Sequence, residues 1–288
     1  MFMHGQALSS GPGLIFTTAV QDQHHFNDRG GTVIPLYHDS QGVTPNLAPR
    51  LTSRLGERLD RPIKADDFVA YLAAVIAHPG YTTRFQDELG SLYGIRVPLT
   101  ADRQLWEAAT EIGRDVIWLH TFGARGHPGR RPRVPLERRP QRIRRIPDDE
   151  DNMPETMTYD PRTRTLYVGS GAIAPVAPEV YAYDVGGMPV IRKWFSYRQR
   201  DRLATRQAAS RLDHIRARRW SLQFTEDLLD LLQVLTLLTD LHPAQDALLE
   251  QILAAPLIST ADMTAARVLP VPPHLTRPQS ADRQDPLF

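Results

Sequence analysis

The chain of 288 residues contains no cysteine. That removes disulfides, thiolate zinc sites and cysteine nucleophiles, and it fits a reducing compartment. Lysine is almost missing as well, with Lys64 and Lys193 set against 32 arginines. No Gly-Lys pair occurs, so the phosphate-holding loop of a nucleotide-hydrolysing motor has no counterpart. The positions two before the lysines are Pro62 and Ile191, so the acid-x-lysine arrangement of a common nuclease centre is absent. An amino-methyltransferase needs a glycine-rich cofactor loop after a strand and an Asp/Asn-Pro-Pro-aromatic segment that seats a flipped base. Neither Pro45-Asn46-Leu47 nor Gly169-Ser170-Gly171 supplies these. Long uninterrupted apolar runs are lacking too: residues 222–241 are broken by Glu226, Asp227, Asp230 and Asp240, which reads as a buried helix and not a membrane span. The opening MFMHGQALSSGPG has neither the basic flank nor the apolar run of a secretory signal, so a cytoplasmic chain without a membrane role is expected.

What the chain has is charge in two places. The net charge of +1 conceals nine arginines against the single acid Glu137 over residues 122–147. Residues 192–219 hold ten basic side chains against Asp201 and Asp213, while the remainder carries fifteen basic and thirty acidic groups. An acidic body with two basic segments attracts polyanions although its total charge is near zero. The preference for arginine over lysine can arise from base composition of the gene alone, and a charge run can be a solvated loop. Clustering is the stronger signal, and it points to nucleic acid.

Local patterns predict the frame. LIFTT at residues 14–18 and TVIPLY at 32–37 read as strands around a Gly30-Gly31 turn, and residues 40–66 read as turn-rich. Asp66-Asp67 suits a helix start, with Phe68, Tyr71, Leu72, Val75 and Ile76 on one face and Pro79-Gly80 closing it. A second helix is expected over residues 82–92. A third, over 102–122, repeats Leu105, Trp106, Ala109, Ile112, Val116 and Leu119 at helical spacing. The proline- and glycine-punctuated run after Gly123 reads as a long loop or insertion. Residues 157–160, 165–169 and 180–185 read as strands. Residues 190–197 read as a short helix with Trp194 and Phe195 inward, and 221–241 and 244–253 as two helices separated by His242-Pro243. The tail from Pro270 is proline-rich and polar.

His24 and His25, near Asp22 and His38, invite a metal reading. Adjacent residues of an extended segment point to opposite faces, which argues against one shared ion. Ser196, Ser210 and Ser221 lack a base and orienter nearby in sequence. No catalytic residue, cofactor or metal is expected.

Several blocks carry a resemblance: LIFTTAVQDQHHFNDRGGTVIPLYHD, DDFVAYLAAVIAHPGYTTRFQDEL, IRVPLTADRQLWEAATEIGRDVIWLHTF, TLYVGSGAIAPVAPEVYAYDVGGMPVIRKWFSYR and RRWSLQFTEDLLDLLQVL. In this order and spacing, over roughly residues 13–256, they resemble the C-terminal specificity region of type ISP single-polypeptide restriction-modification enzymes. The resemblance implies an α+β fold in which a helical subdomain and a small mixed β-sheet form a target-recognition domain. It also implies sequence-specific binding of double-stranded DNA, with the nuclease, translocase and adenine methyltransferase on another polypeptide. The expected organisation is residues 1–122 as N-terminal strands plus helical part, 123–152 as a basic loop or insertion, 153–256 as strands, basic segment and C-terminal helices, and 257–288 as a disordered tail.

The candidate DNA contacts follow from charge and resemblance together. Arg192, Lys193, Tyr197, Arg198, Arg200, Arg202 and Arg206 form the preferred set. Arg130, Arg131, Arg133, Arg142, Arg144 and Arg145 form a second, and His25 and Arg29 a third. Two rival readings are a subunit that docks a methyltransferase or helicase partner through its apolar C-terminal helices, and a nucleic-acid binder without site preference.

Overall fold

Helix α5 (Arg103–His120) starts where Asp102 turns its carboxylate onto the free N–H groups of Gln104 and Leu105, at 2.7 and 3.1 Å. It crosses α2 (Ala65–Ile76), whose start is fixed by Asp67 accepting from the Lys64 N–H at 3.0 Å. These two helices centre a computed structural model that describes residues 2–4, 10–18, 31–39, 41–89, 95–124, 134–149, 151–200, 217 and 219–272. Nearly all of α2 from Val69 to Ile76 is buried. Its Tyr71 ring stacks on Trp106 of α5 at 4.4 Å, and the Tyr71 hydroxyl donates to the Pro98 carbonyl at 2.7 Å.

The crossing depends on Gly113. A Cβ there would lie 1.7 Å from the Ala70 carbonyl oxygen, inside the backbone of α2. Alanine normally gains roughly 1 kcal/mol over glycine within a helix. Overlap with a backbone atom cannot be relieved by a rotamer change, and overpacking costs about 1–3 kcal/mol or more. Gly113→Ala is therefore expected to destabilise, lowering the urea midpoint by an amount equivalent to about 1–2 kcal/mol net. An unchanged or raised midpoint would show that the helices part freely.

Around this pair lie α1 (Leu51–Leu59), α3 (Pro79–Arg84), α4 (Gln86–Leu89) and α8 (Leu222–Ala254). Helix α1 presents Leu51, Leu55 and Leu59 to the core at every fourth position, a periodicity hidden in a stretch read as turns. Pro79 opens α3 and does not close α2 alone, because its fixed φ suits the first helical position. Of the expected helix over 82–92, residues 82–84 lie in α3 and 86–89 in α4, and residues 90–92 lie outside the described residues.

Helix α8 runs unbroken for 33 residues through Pro243, where two helices were expected. Proline at that position forfeits one backbone hydrogen bond, which ordinarily ends or kinks a helix. Packing on both sides holds the halves in line. Leu228, Leu232, Leu235 and Leu238 before it, and Leu248, Leu249 and Ile252 after it, are all buried. Gln245 donates to the Ala74 and Ala73 carbonyls at 3.0 and 3.4 Å near the end of α2, where the Ala73 carbonyl also accepts from the Ala77 N–H at 3.2 Å. His78, wholly buried, spans Asp246 at 3.0 Å and the Val75 carbonyl at 3.1 Å.

The sheets among the described residues are antiparallel, which refines the expected mixed sheet. Strands β1 (Phe2–His4), β2 (Leu14–Ile15) and β3 (Gly31–Val33) order as β2-β1-β3. Strands β4 (Gln141–Arg144), β5 (Met157–Asp160), β6 (Thr165–Val168) and β7 (Gly171–Ala174) order as β4-β7-β6-β5. Part of the expected basic loop is thus an edge strand. Of the strand expected over residues 180–185, Val180 and Tyr181 belong instead to helix α6 (Pro178–Tyr181), again with proline at the first turn, and only Asp184 and Val185 are extended. A small hairpin of β8 (Asp184–Val185) and β9 (Met188–Pro189) leads into α7 (Val190–Ser196).

The expected tail is corrected over residues 257–272. The backbone of residues 256–258 pairs with that of 99–101 through Ala101 N–H to Pro256 O and Ile258 N–H to Leu99 O, both 2.8 Å. Helix α9 (Thr260–Ala265) follows, and Ile258, Met263 and Val268 are buried. Three apolar anchors in eleven residues hold this stretch against the core. No helix among the described residues is long and apolar enough to cross a membrane.

Candidate nucleic-acid interface

The edge strand β4 exposes all four of its residues, Gln141 to Arg144. Its inner edge pairs with β7, with a bulge between Arg142 and Arg144 that redirects successive side chains. The strand carries Arg142, Ile143 and Arg144, all exposed, with Arg145 following. Arg144 donates to the Ser170 carbonyl at 3.4 Å, and Arg145 pairs with Asp148 at 2.8 Å. Both are exposed contacts of small energetic weight.

The second basic segment starts on α7, where Ile191 and Phe195 face the core and Arg192, Lys193 and Tyr197 face outward. Phe195 is buried as expected, and Trp194 is half-buried. Arg192 stands 5.5 Å above the Tyr181 ring and Lys193 lies 5.0 Å from the ring of Tyr197, which is 71% exposed.

Arg198 is turned inward. Its guanidinium stacks 4.1 Å over Trp194, lies 5.6 Å from the Phe224 ring and donates to the Trp194 carbonyl at 3.0 Å. Burial pulls its ionisation below the ordinary arginine range, with Asp227 opposing. It seals an aromatic cluster in which Trp194, Phe195 and Phe224 all pack on buried Trp220. Its first task is structural. Arg200 donates to the Asp151 carbonyl at 3.1 Å and sits 4.0 Å from Glu155.

The two basic segments meet through the turn between β6 and β7. Arg144 holds Ser170 in that turn. Its neighbour Gly169, at φ +55°, donates to Thr156 at 2.9 Å and lies against Pro154, which a Cβ would meet at 3.3 Å. The Pro154 carbonyl accepts from the Arg200 N–H at 2.9 Å. The end of β4 therefore lies at this turn, and the segment that follows α7 lies beside it at Pro154.

The remaining sequence-predicted contacts, Arg130, Arg131, Arg133, Arg202, Arg206, His25 and Arg29, lie outside the described residues. Two features escaped the sequence reading. Arg138 makes a bidentate pair with Asp240 of α8, at 2.6 and 3.1 Å, which uses one of the clustered arginines as a strut and keeps it firmly charged. Tyr181 is the other: its ring stacks on Tyr159 at 4.3 Å and supports Arg192, and nothing in the spacing of these residues announces it. Among the described residues, no three His, Asp or Glu side chains gather as a metal site.

No curated protein matches the chain significantly. Among solved structures it is similar to the chain in a cryo-EM DrdV–DNA complex, with TM-score 0.59 and 14% identity over 90% of this chain and 24% of that one. It is also similar to a nuclease-deletion mutant of the Type ISP restriction-modification enzyme LlaGI in complex with a DNA substrate mimic. That match has TM-score 0.50 and 16% identity over 89% of this chain and 21% of that one. The chain spans less than a quarter of the length of either, and at these identities the likeness is one of fold. The profile of the Type ISP C-terminal specificity domain covers residues 1–231, most of the sequence, and the chain belongs to that family.

Proposed function

We propose that the chain binds double-stranded DNA at a particular sequence and presents that site to an adenine methyltransferase and translocase carried on another polypeptide. The observation that supports this most directly is that exposed cations of β4 and of the segment from α7 to Arg200 lie on either side of the β6–β7 turn of a Type ISP specificity domain. Phosphate contacts from several cations would fix the register, and a smaller number of side chains would read base edges. Residues 134–149 then serve as part of the recognition surface.

The rival in which apolar C-terminal helices dock a protein partner has less surface to use: Leu228, Leu232, Leu235 and Leu238 of α8 are buried against the chain's own core, while Leu222 is exposed and Leu229, Leu237, Leu241 and Leu253 are half-buried. Co-purification of a protein partner without any DNA retardation would favour that rival. The rival without site preference is separated by selection from a randomised duplex pool. One enriched motif is the expected result, and a pool that stays random after several rounds overturns the specificity reading.

A further inference from the structure

Resting on that reading, we propose that Arg192 is the base-reading arginine of α7, held ready by Tyr181, whereas the neighbouring cations bind phosphate or brace the fold. A guanidinium that discriminates guanine must offer two parallel N–H donors and keep a fixed orientation before it meets DNA. Most of the described arginines of the two segments have donors engaged. Arg138 is tied to Asp240, Arg145 to Asp148, Arg198 to the Trp194 carbonyl, and Arg200 to Asp151 and Glu155.

Arg192 has no carboxylate or carbonyl partner among the described residues, yet its position is constrained. It lies 5.5 Å above Tyr181, and Tyr181 stacks on Tyr159 at 4.3 Å with the rings 17° from parallel. Tyr159 is itself locked, its hydroxyl donating to the Val176 carbonyl at 2.9 Å. Two aromatic rings from β5 and α6 thus form a platform under one exposed cation on a third element. Stacking over a ring face leaves the in-plane N–H donors of a guanidinium available, which a carboxylate partner would not. Arg142, also without a partner among the described residues, has no such platform, and Lys193 lacks a fork.

The test compares the motif selected by the wild-type chain with that of Arg192→Ala, and measures both proteins on the selected duplex and on an unrelated one across a salt series. The expected result is loss of preference at one base pair, with affinity for the selected duplex falling roughly five- to 150-fold. Affinity for the unrelated duplex stays within about threefold, which also reports that the variant is folded, and the salt slope shifts by less than about 0.5. Tyr181→Ala should reproduce part of the loss at that same base pair, and Tyr181→Phe, which keeps the ring, should restore it. Uniform weakening on both duplexes, with a slope shallower by about 0.9, would identify a phosphate contact and overturn the assignment. So would an unaltered motif. A wild-type chain that selects no motif defeats the specificity reading before any variant is compared.

Discussion

Raising the salt from about 50 to about 200 mM is expected to weaken binding of this chain to duplex DNA by roughly three to five decades. The estimate follows from the number of cations available to phosphates. Arg142, Arg144, Arg145, Lys193 and Arg200 are on the surface of the described residues, and Arg130, Arg131, Arg133, Arg202 and Arg206 extend the same two segments. Six to ten phosphates engaged would release counterions at about 0.9 each, which gives that range. The local pairs Arg145–Asp148 and Arg200–Glu155 do not prevent it. Exposed ion pairs are worth at most about 1 kcal/mol, less than the gain from meeting the dense charge of a duplex.

The triple variant Arg142→Ala, Arg144→Ala, Arg145→Ala isolates the strand. Its plot of log affinity against log salt should be shallower by roughly 2 to 3, with all sequences weakened together. Fluorescence anisotropy with a labelled duplex at four salt concentrations measures both quantities. A wild-type slope near zero would remove phosphate contacts from the account, and an unchanged slope in the triple variant would remove β4 from the interface.

How far this surface could be read in advance varies by element. The charge clusters were visible, because counting along the chain suffices. Their division into free and committed cations was not. Arg138 finds Asp240 across 102 residues of sequence, and Arg192 finds Tyr181 only because the β8–β9 hairpin folds the chain back. Arg198 over Trp194 was not legible either, because α7 ends at Ser196 and the turn that follows it folds the guanidinium back over the ring.

The same contrast holds for the fold. Helices α2 and α5 were legible from Asp67, Asp102 and a regular apolar face. Strand β4 was not: all of its positions are exposed, so it shows no alternation, and it is held by backbone pairing to β7. Val180 and Tyr181 mimic a strand by residue type, while Pro178 sets the dihedral of a helical first turn. At Pro243 the local rule is sound but tertiary packing outweighs it.

Acid is expected to unfold the chain earlier than its carboxylates alone would. His120 lies at the end of α5, stacked 5.8 Å from Phe16, and its Nδ1 accepts from the Phe16 N–H at 3.3 Å. A backbone N–H can only donate, so Nδ1 carries no proton in the folded state. Burial, with repulsion from His242 added, pushes the His120 imidazole down to about 4. Burial likewise holds His242, stacked on Tyr183, down to about 4, with His78 adding repulsion and Asp246 opposing.

In the unfolded chain a histidine titrates near its ordinary value of about 6.5. Between these values the unfolded state binds more protons than the folded one, so stability falls as pH falls. The contribution is fully present above about pH 6.5 and fully lost below about pH 4. A depression of this size at His120 corresponds to roughly 3 kcal/mol, and the half-buried His242 adds a smaller amount.

The structural consequence is specific: a proton on Nδ1 would face another donor, which detaches the segment after β2 from α5. Asp39, Asp149, Asp160 and Asp262 are held below the usual carboxylate range by hydrogen bonds, so their stabilisation is lost only from about pH 4 downward. The window from about 6.5 to 4.5 therefore isolates the histidines. Urea unfolding at pH 7.5, 6.5, 5.5 and 4.5 should show the decline. His120→Gln, whose carboxamide oxygen accepts the Phe16 N–H without titrating, should reduce its slope by close to one proton. Flat wild-type stability across this window, or a His120→Gln slope equal to that of the wild type, would show that the His120 imidazole does not govern the acid limit.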